Sequence, residues 1–162
     1  MILQADRTLD RSLQRIGCEA LAVAAAVEIA TEKTVDIEVM NAAWVSGVTL
    51  GEFSPTSGMM SESSYRWLIG NLCERVGRRD MIGDMVADVI DGLIHFYSWW
   101  HTTEYTHILE RLYLQNGTYH TLLRGKRWQL LYNSVPGLDQ GFHRSAHLLW
   151  IGPRNEWIRR TA

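Results

Sequence analysis

The sequence predicts an α+β fold in which helices from the first half pack on an antiparallel sheet formed by the second half. Apolar residues recur at helical spacing up to about residue 77, whereas short apolar runs separated by turn residues dominate after residue 108. Helices followed by strands are typical of this class. With 162 residues, 46% of them hydrophobic, the chain is expected to form a single domain over 1–162.

Three helical stretches are predicted in the first half. The apolar pattern of the first runs from residue 9 to residue 30 and is interrupted by Gly17. A second helix is predicted to begin after Asp36, which can cap it. A third is predicted to begin at the serines of 61–64 and to end at Gly77.

The second half is predicted to form strands joined by tight turns. Asn116-Gly117 is a strong hairpin signal between two apolar runs, and Gly125-Lys126 can close a second hairpin. A further strand is predicted over 147–151. The segment 82–90 fits either a helix or a strand, and we interpret it as a helix.

The predicted hairpins bring a histidine and an asparagine together. If the second turn holds two residues, His120 lies opposite Leu131 and Thr118 lies opposite Asn133. Side chains alternate between the two faces of a strand, so His120 and Asn133 share a face as diagonal neighbours, roughly 7–8 Å apart at the backbone. An asparagine in that position can fix the tautomer of the imidazole and leave its other nitrogen free to accept a proton.

Cys18 is predicted to open a helix, directly after Gly17 and before the apolar run 20–30. A thiol at a helix N-terminus lies at the positive end of the helix dipole, which favours the thiolate. The backbone N–H of Cys18 and the side-chain amide of Gln14 are candidate donors to an oxyanion. The alternative interpretation is a buried cysteine inside one uninterrupted helix over 10–31.

Three segments, residues 14–21, 119–123 and 131–133, resemble the papain-like cysteine protease superfamily. The resemblance is closest to the C39-like branch and to small phage and bacterial proteins of that fold. In that branch a cysteine opens the central helix, a histidine begins a sheet strand, and an Asp or Asn ends the next strand.

The resemblance implies a papain-like fold and a thiol protease site. It implies Cys18 as nucleophile, His120 as general base and acid, Asn133 as the orienting residue and Gln14 as a possible oxyanion donor. We therefore expect a hydrolase or transferase that acts on an amide bond of a peptide or protein substrate. Two alternatives stay open: a non-catalytic papain-like module that binds a protein partner, and a cell-wall amidase, which the seven tryptophans favour.

Composition argues against several other classes. A formal net charge of −2 disfavours nucleic-acid binding, which usually requires a basic surface. The apolar run 20–30 carries Glu28 and is too short to span a bilayer, and no basic leader begins the chain, so a cytoplasmic location is expected. Two cysteines do not make a disulfide framework.

No cofactor or metal site is predicted, although two histidine groups have to be considered. His143 and His147 have the spacing of two zinc ligands on a helix, and His101 and His107 form a looser cluster. Neither group has an identifiable third ligand. A dense aromatic patch around Trp99-Trp100 is interpreted as core packing or as the wall of a groove.

Overall fold

The computed structural model describes residues 1–59, 61–90, 104–125, 128–139 and 142–161, and it confirms the α+β class. Its helices are α1 (Arg11–Ile16), α2 (Cys18–Thr31), α3 (Ile37–Leu50), α4 (Glu62–Arg75) and α5 (Arg154–Thr161). Its strands are β1 (Phe53–Ser54), β2 (Gly58–Met59), β3 (Met81–Ile90), β4 (Thr106–Tyr113), β5 (Tyr119–Arg124), β6 (Leu130–Asn133) and β7 (Phe142–Pro153). No helix of these ranges is long and apolar enough to cross a lipid bilayer.

The helices begin and end close to the positions that the sequence predicts. The Asp36 carboxylate accepts a hydrogen bond from the Val39 N–H at 2.8 Å and caps α3. Ser61 and Ser64 bond reciprocally at the start of α4. Gly77 follows α4 with a φ of +79°, a left-handed conformation that glycine adopts without strain.

Gly17 separates α1 from α2, so the first apolar stretch forms two helices rather than one. A Cβ at this position would lie 2.5 Å from the carbonyl oxygen of Leu13, which is closer than real Cβ atoms approach. Only glycine therefore allows the two helices to join this tightly. Cys18 is the first residue of α2, as the sequence predicts.

Five strands form one antiparallel sheet in the order β3-β7-β4-β5-β6. Leu109, Leu123 and Leu149 share the core with α2 and α4. The side chains of α2 are buried along most of its length, and most of them are alanine or valine. Such small side chains let this helix lie close to both the sheet and its neighbouring helices.

The predicted helix over 82–90 is wrong, because these residues belong to strand β3. Strand β3 pairs with β7, and Gly83 lies opposite Ile151. A Cβ at Gly83 would lie 2.7 Å from the carbonyl oxygen of Trp150, so glycine permits a close approach of the backbones. The strand predicted over 147–151 is confirmed as part of β7. The aromatic patch around Trp99-Trp100 lies outside the described residues.

Three aromatic rings pack together beside the C-terminal half of α3. The ring of Phe53 stacks on that of Trp44 with centroids 4.8 Å apart and meets Trp67 edge-on at 5.4 Å. Gly47, on α3, faces the Phe53 ring so closely that a Cβ there would overlap it. The missing side chain of Gly47 thus makes the space for Phe53.

Gly47→Ala is expected to lower the free energy of unfolding by about 1–3 kcal/mol, because the new methyl group displaces the Phe53 ring. Gly70→Ala is the matched control, since Gly70 lies inside α4 and a Cβ there meets nothing within 4 Å. That variant should be as stable as the wild type or gain up to about 1 kcal/mol. Denaturant unfolding measures both, and equal effects would contradict this packing.

His107 is a buried histidine in the middle of the sheet. It is 3% exposed, and among the described residues its Nε2 atom has no hydrogen-bond partner. Burial lowers the pKa of His107 from 6.5 to about 4, because an imidazolium without water or a partner is costly. The folded protein therefore holds His107 neutral at ordinary pH.

The free energy of unfolding is expected to fall as the pH drops from 6.5 towards about 4. The unfolded chain takes up a proton at His107 below its ordinary pKa, whereas the folded chain resists protonation until its own lowered pKa is reached. Above the ordinary pKa, protonation of His107 costs the folded protein no stability. Below the lowered pKa, the free energy of unfolding is smaller by roughly 3 kcal/mol at most. Denaturant unfolding of His107→Gln should show a shallower pH profile; identical profiles would refute the assignment.

Candidate active site

A cleft of about 530 Å³ lies at the end of the sheet where the β4–β5 hairpin turns, beside the start of α2. Cys18 and His120 both line it. The other lining residues combine hydroxyl, amide and apolar groups with one guanidinium, among them Gln4, Arg15, Thr56, Ser57, Leu114, Tyr119 and Leu138. The fold therefore brings the two most reactive residues of the predicted site to the walls of one cavity.

His120 is held by Asn133. Its Nε2 atom lies 2.8 Å from the Asn133 Oδ1 atom. That amide is itself oriented, because Oδ1 accepts from the Val135 N–H at 3.0 Å and Nδ2 donates to the Leu138 carbonyl at 3.3 Å. Since Oδ1 can only accept, Nε2 of the neutral imidazole carries the hydrogen and Nδ1 carries the lone pair. The geometry thus provides an imidazole with a defined basic nitrogen.

His120 and Asn133 meet although the predicted register is wrong. Gly125 N–H bonds to the Gln129 carbonyl at 2.9 Å, so the second turn is longer than two residues and shifts the pairing by three positions. A bulge on β6 adds one more, and Asn133 lies opposite Leu122. The total shift is even, so Asn133 stays on the face of His120 and is still its diagonal neighbour. Lys126 of the predicted turn lies outside the described residues.

Cys18 is 6% exposed, and its Sγ atom lies 3.9 Å from the Thr121 Oγ1 atom. Burial raises the pKa of the Cys18 thiol, and hydrogen bonds from the backbone and side chain of Thr121 offset only part of that rise. The nearby negative charge of Glu19 raises the pKa further. The expectation that the helix N-terminus makes this thiol acidic is therefore outweighed by desolvation.

Cys18 and His120 approach the cleft from different faces of β5. Thr121 contacts Cys18, and Leu123 packs into the core beside α2. Alternation along the strand turns His120 and Leu122 to the other face. In the described part of the chain, each of the two has its hydrogen bond to another partner: Thr121 for the thiol and Asn133 for the imidazole.

The structure does not support Gln14 as a donor to the cleft. Its side-chain amide donates to the Leu9 carbonyl at 2.8 Å. Gln4 lines the cleft in its place, and its Nε2 donates to the Gln14 carbonyl at 3.0 Å while its Oε1 accepts from the Ser134 hydroxyl at 3.1 Å. A continuous helix would use the Gln14 carbonyl to accept from the Cys18 N–H. Spacing along the chain could not identify Gln4, because it precedes α1 and reaches the site through tertiary contacts.

A buried charged network lies directly behind the thiol. The Glu19 carboxylate, 5% of the residue being exposed, accepts from Arg111 at 2.7 Å and from the Tyr65 hydroxyl. His147 lies near the same oxygen, with its Nε2 at 3.6 Å. The Arg111 guanidinium also lies over the ring of Tyr119, 5.2 Å from its centroid. This network connects the first turn of α2 to strands β4, β5 and β7 and to α4.

The described members of the two histidine groups lie on strands of the sheet. His143 and His147 both belong to strand β7, where residues four apart lie about 13 Å apart rather than on adjacent helical turns. His107 belongs to β4, and His101 lies outside the described residues. No group of three or more His, Cys, Asp or Glu side chains within the described ranges is arranged to hold a metal ion.

No protein-family model matches the chain, and no curated protein or solved structure is significantly similar to it. The resemblance to the papain-like superfamily therefore stays a prediction, and it depends on the three segments that carry it.

Near neutral pH, His120 is expected to be the Nε2–H tautomer, because Asn133 Oδ1 accepts that hydrogen. Nitrogen chemical shifts from long-range proton–nitrogen NMR spectra distinguish the two tautomers. Asn133→Leu removes the acceptor and should give a mixture of tautomers, whereas Asn155→Ala, on the exposed part of α5, should leave the spectrum unchanged. An Nδ1–H tautomer in the wild type would refute the assignment.

Proposed function

We propose that this protein is a thiol hydrolase or transferase that acts on an amide bond. The observation that carries the proposal is an imidazole with a defined basic nitrogen, bordering the same cleft as a thiol at the start of a helix. Cys18 is the nucleophile, His120 the general base and acid, and Asn133 the residue that holds the imidazole. A thiol, a base and an orienting amide are the minimum that nucleophilic catalysis of this kind requires.

The reaction uses these groups in order. The Cys18 sulfur attacks the substrate carbonyl carbon, and the thiol proton passes to Nδ1 of His120. The C–N bond breaks as His120 returns the proton to the departing amine, leaving a thioester on Cys18. Water, or another nucleophile in a transferase, then attacks the thioester carbon while His120 takes its proton. The C–S bond breaks, the new acyl product leaves, and His120 returns the proton to the Cys18 sulfur. The sulfur and Nδ1 have to approach within about 4 Å for the first transfer.

The oxyanion of the tetrahedral intermediate has two candidate donors. The N–H of Cys18 is at the first position of α2, among the backbone groups that a helix leaves without an internal partner. Gln4 lines the cleft, and its amide nitrogen has a second hydrogen besides the one given to Gln14. In this proposal Gln4 takes the role that the sequence assigned to Gln14.

The resting pair is a neutral thiol and a neutral imidazole. Burial raises the pKa of Cys18, and burial also lowers the pKa of His120, against a smaller opposing effect of the Asn133 hydrogen bond. Both shifts disfavour a preformed thiolate–imidazolium pair. Proton transfer is therefore coupled to the attack of the sulfur, and the reaction requires His120 unprotonated.

A non-catalytic module that binds a protein partner in the cleft is the second candidate. The burial of Cys18 and its contact with Thr121 favour it, because a structural thiol has the same properties. The two candidates differ in whether His120 changes the reactivity of the thiol.

Alkylation of Cys18 by iodoacetamide, followed by intact-protein mass spectrometry, tests the proposal. If His120 is the base, the rate near neutral pH should fall about tenfold or more in His120→Ala, because the thiol loses its proton acceptor. Cys73 is the matched internal thiol, since it is 1% exposed and burial raises its pKa to about 11. Once an amide substrate is in hand, Cys18→Ala should abolish turnover and Cys73→Ala should not.

His107→Gln is the control for replacing a buried histidine away from the cleft, and it should not change the alkylation rate. Thermal melts of each variant establish that it is folded. A Cys18 that reacts no faster than Cys73, and equally in His120→Ala, would exclude the thiol enzyme and leave the binding module.

A further inference from the structure

We propose that the cleft binds a substrate through a carboxylate group, and that Arg15 is the residue that binds it. The inference deepens the proposed function and rests on it for the identity of the site. It concerns the chemical class of the peptide, one that presents a free C-terminal carboxylate near the reacting bond.

The charge of the cleft is the first support. Among its described lining residues, Arg15 is the one permanently charged side chain, and none is acidic. The protein as a whole has a formal net charge of −2, so an uncompensated cation in this cavity is not a consequence of a basic composition. Such a cation attracts anionic ligands and disfavours cationic ones.

The position of Arg15 is the second support. It lies in the last turn of α1, three residues before Cys18. Its Nη2 donates to the Pro55 carbonyl at 3.3 Å, which holds the side chain at the cleft but uses only one of its five N–H donors. No carboxylate of the described residues lies within ion-pair distance of it. The remaining donors can bind both oxygens of a carboxylate side by side.

The rest of the lining favours a peptide carboxylate over a phosphate. Apolar walls that a peptide chain could pack against are supplied by Ile16, Leu114, Val135 and Leu138. Thr118, Ser57 and Thr56 supply neutral hydroxyls. Among the described lining residues, one arginine without a second cation or a glycine-rich phosphate loop suits a single negative charge better than a phosphate dianion.

Two alkylating reagents of nearly equal size test the charge preference directly at Cys18. Iodoacetate carries a carboxylate and iodoacetamide a neutral amide. Arg15→Gln should lower the iodoacetate rate at Cys18 by roughly threefold to fivefold, as expected for a partly exposed ion pair, and leave the iodoacetamide rate unchanged. Arg11→Gln is the matched control, because Arg11 lies one turn earlier on α1 and does not line the cleft. Raising the salt concentration should reduce the difference.

A binding measurement keeps the inference independent of catalysis. The Cys18→Ser variant is titrated with acetyl-trialanine carrying a free carboxylate and, separately, with the same peptide as its C-terminal amide, and NMR shifts of the cleft residues are followed. The acid should bind more tightly than the amide, and Arg15→Gln should abolish that difference. Equal affinity of the two peptides, or a preference that survives in Arg15→Gln, would overturn the carboxylate assignment. If Cys18 reacts no faster than Cys73 but the acid peptide still binds more tightly than the amide, the proposed enzyme activity is excluded and the carboxylate site is retained.

Discussion

The position of the candidate nucleophile depends on a buried ion pair next to it in the chain. Glu19 and Arg111 join the first turn of α2 to strand β4, and in the β4–β5 register Arg111 lies opposite Thr121. Cys18 contacts Thr121. Cys18 and Glu19 are consecutive in α2, and their partners Thr121 and Arg111 lie opposite each other on β5 and β4. These two contacts fix the depth and the rotation of α2 on the sheet.

This arrangement is costly to disturb. Removing one partner of a buried ion pair leaves an unpaired charge and typically costs about 3–5 kcal/mol. Tyr65 adds a neutral donor to the same carboxylate from α4, and burial with the Glu19 charge raises the Tyr65 pKa far above its ordinary value. The hydroxyl thus stays protonated and keeps donating. The network holds the helix in place, and its negative member also opposes ionisation of the thiol.

Burial also determines the protonation states of the groups in the cleft. Burying the thiol and the imidazole stabilises their neutral forms, so the site gains a base that is unprotonated at neutral pH but lacks a preformed thiolate. The break at Gly17 partly compensates for the missing thiolate, because it places the Cys18 N–H at a helix start, where it can donate to an oxyanion. Gln4 bonds to the Gln14 carbonyl that a continuous helix would have occupied. In the proposed reaction the reactivity of Cys18 therefore depends on whether the His120 imidazole can reach the sulfur, because burial opposes ionisation of the thiol by itself.

Local signals in the sequence by themselves determined the α+β class, the breaks between helices and the first hairpin. Gly17, Asp36 and Gly77 act through backbone conformation or capping within a few residues, so their effect can be read without the rest of the chain. The sharing of a face by His120 and Asn133 also follows from the period of two along strands. This prediction holds although the register is wrong by four residues, because an even shift leaves each side chain on the same face of the sheet.

Contacts between distant segments decided the rest. The apolar residues of strand β3 fit the period of a helix as well as that of a strand, and only pairing with β7 distinguishes the two. Gln4 replaces Gln14 at the cleft because a segment outside the helices folds back onto α1. The acidity of Cys18 does not follow from the sequence, because the helix dipole can be inferred from sequence whereas desolvation depends on what the tertiary structure packs around the sulfur.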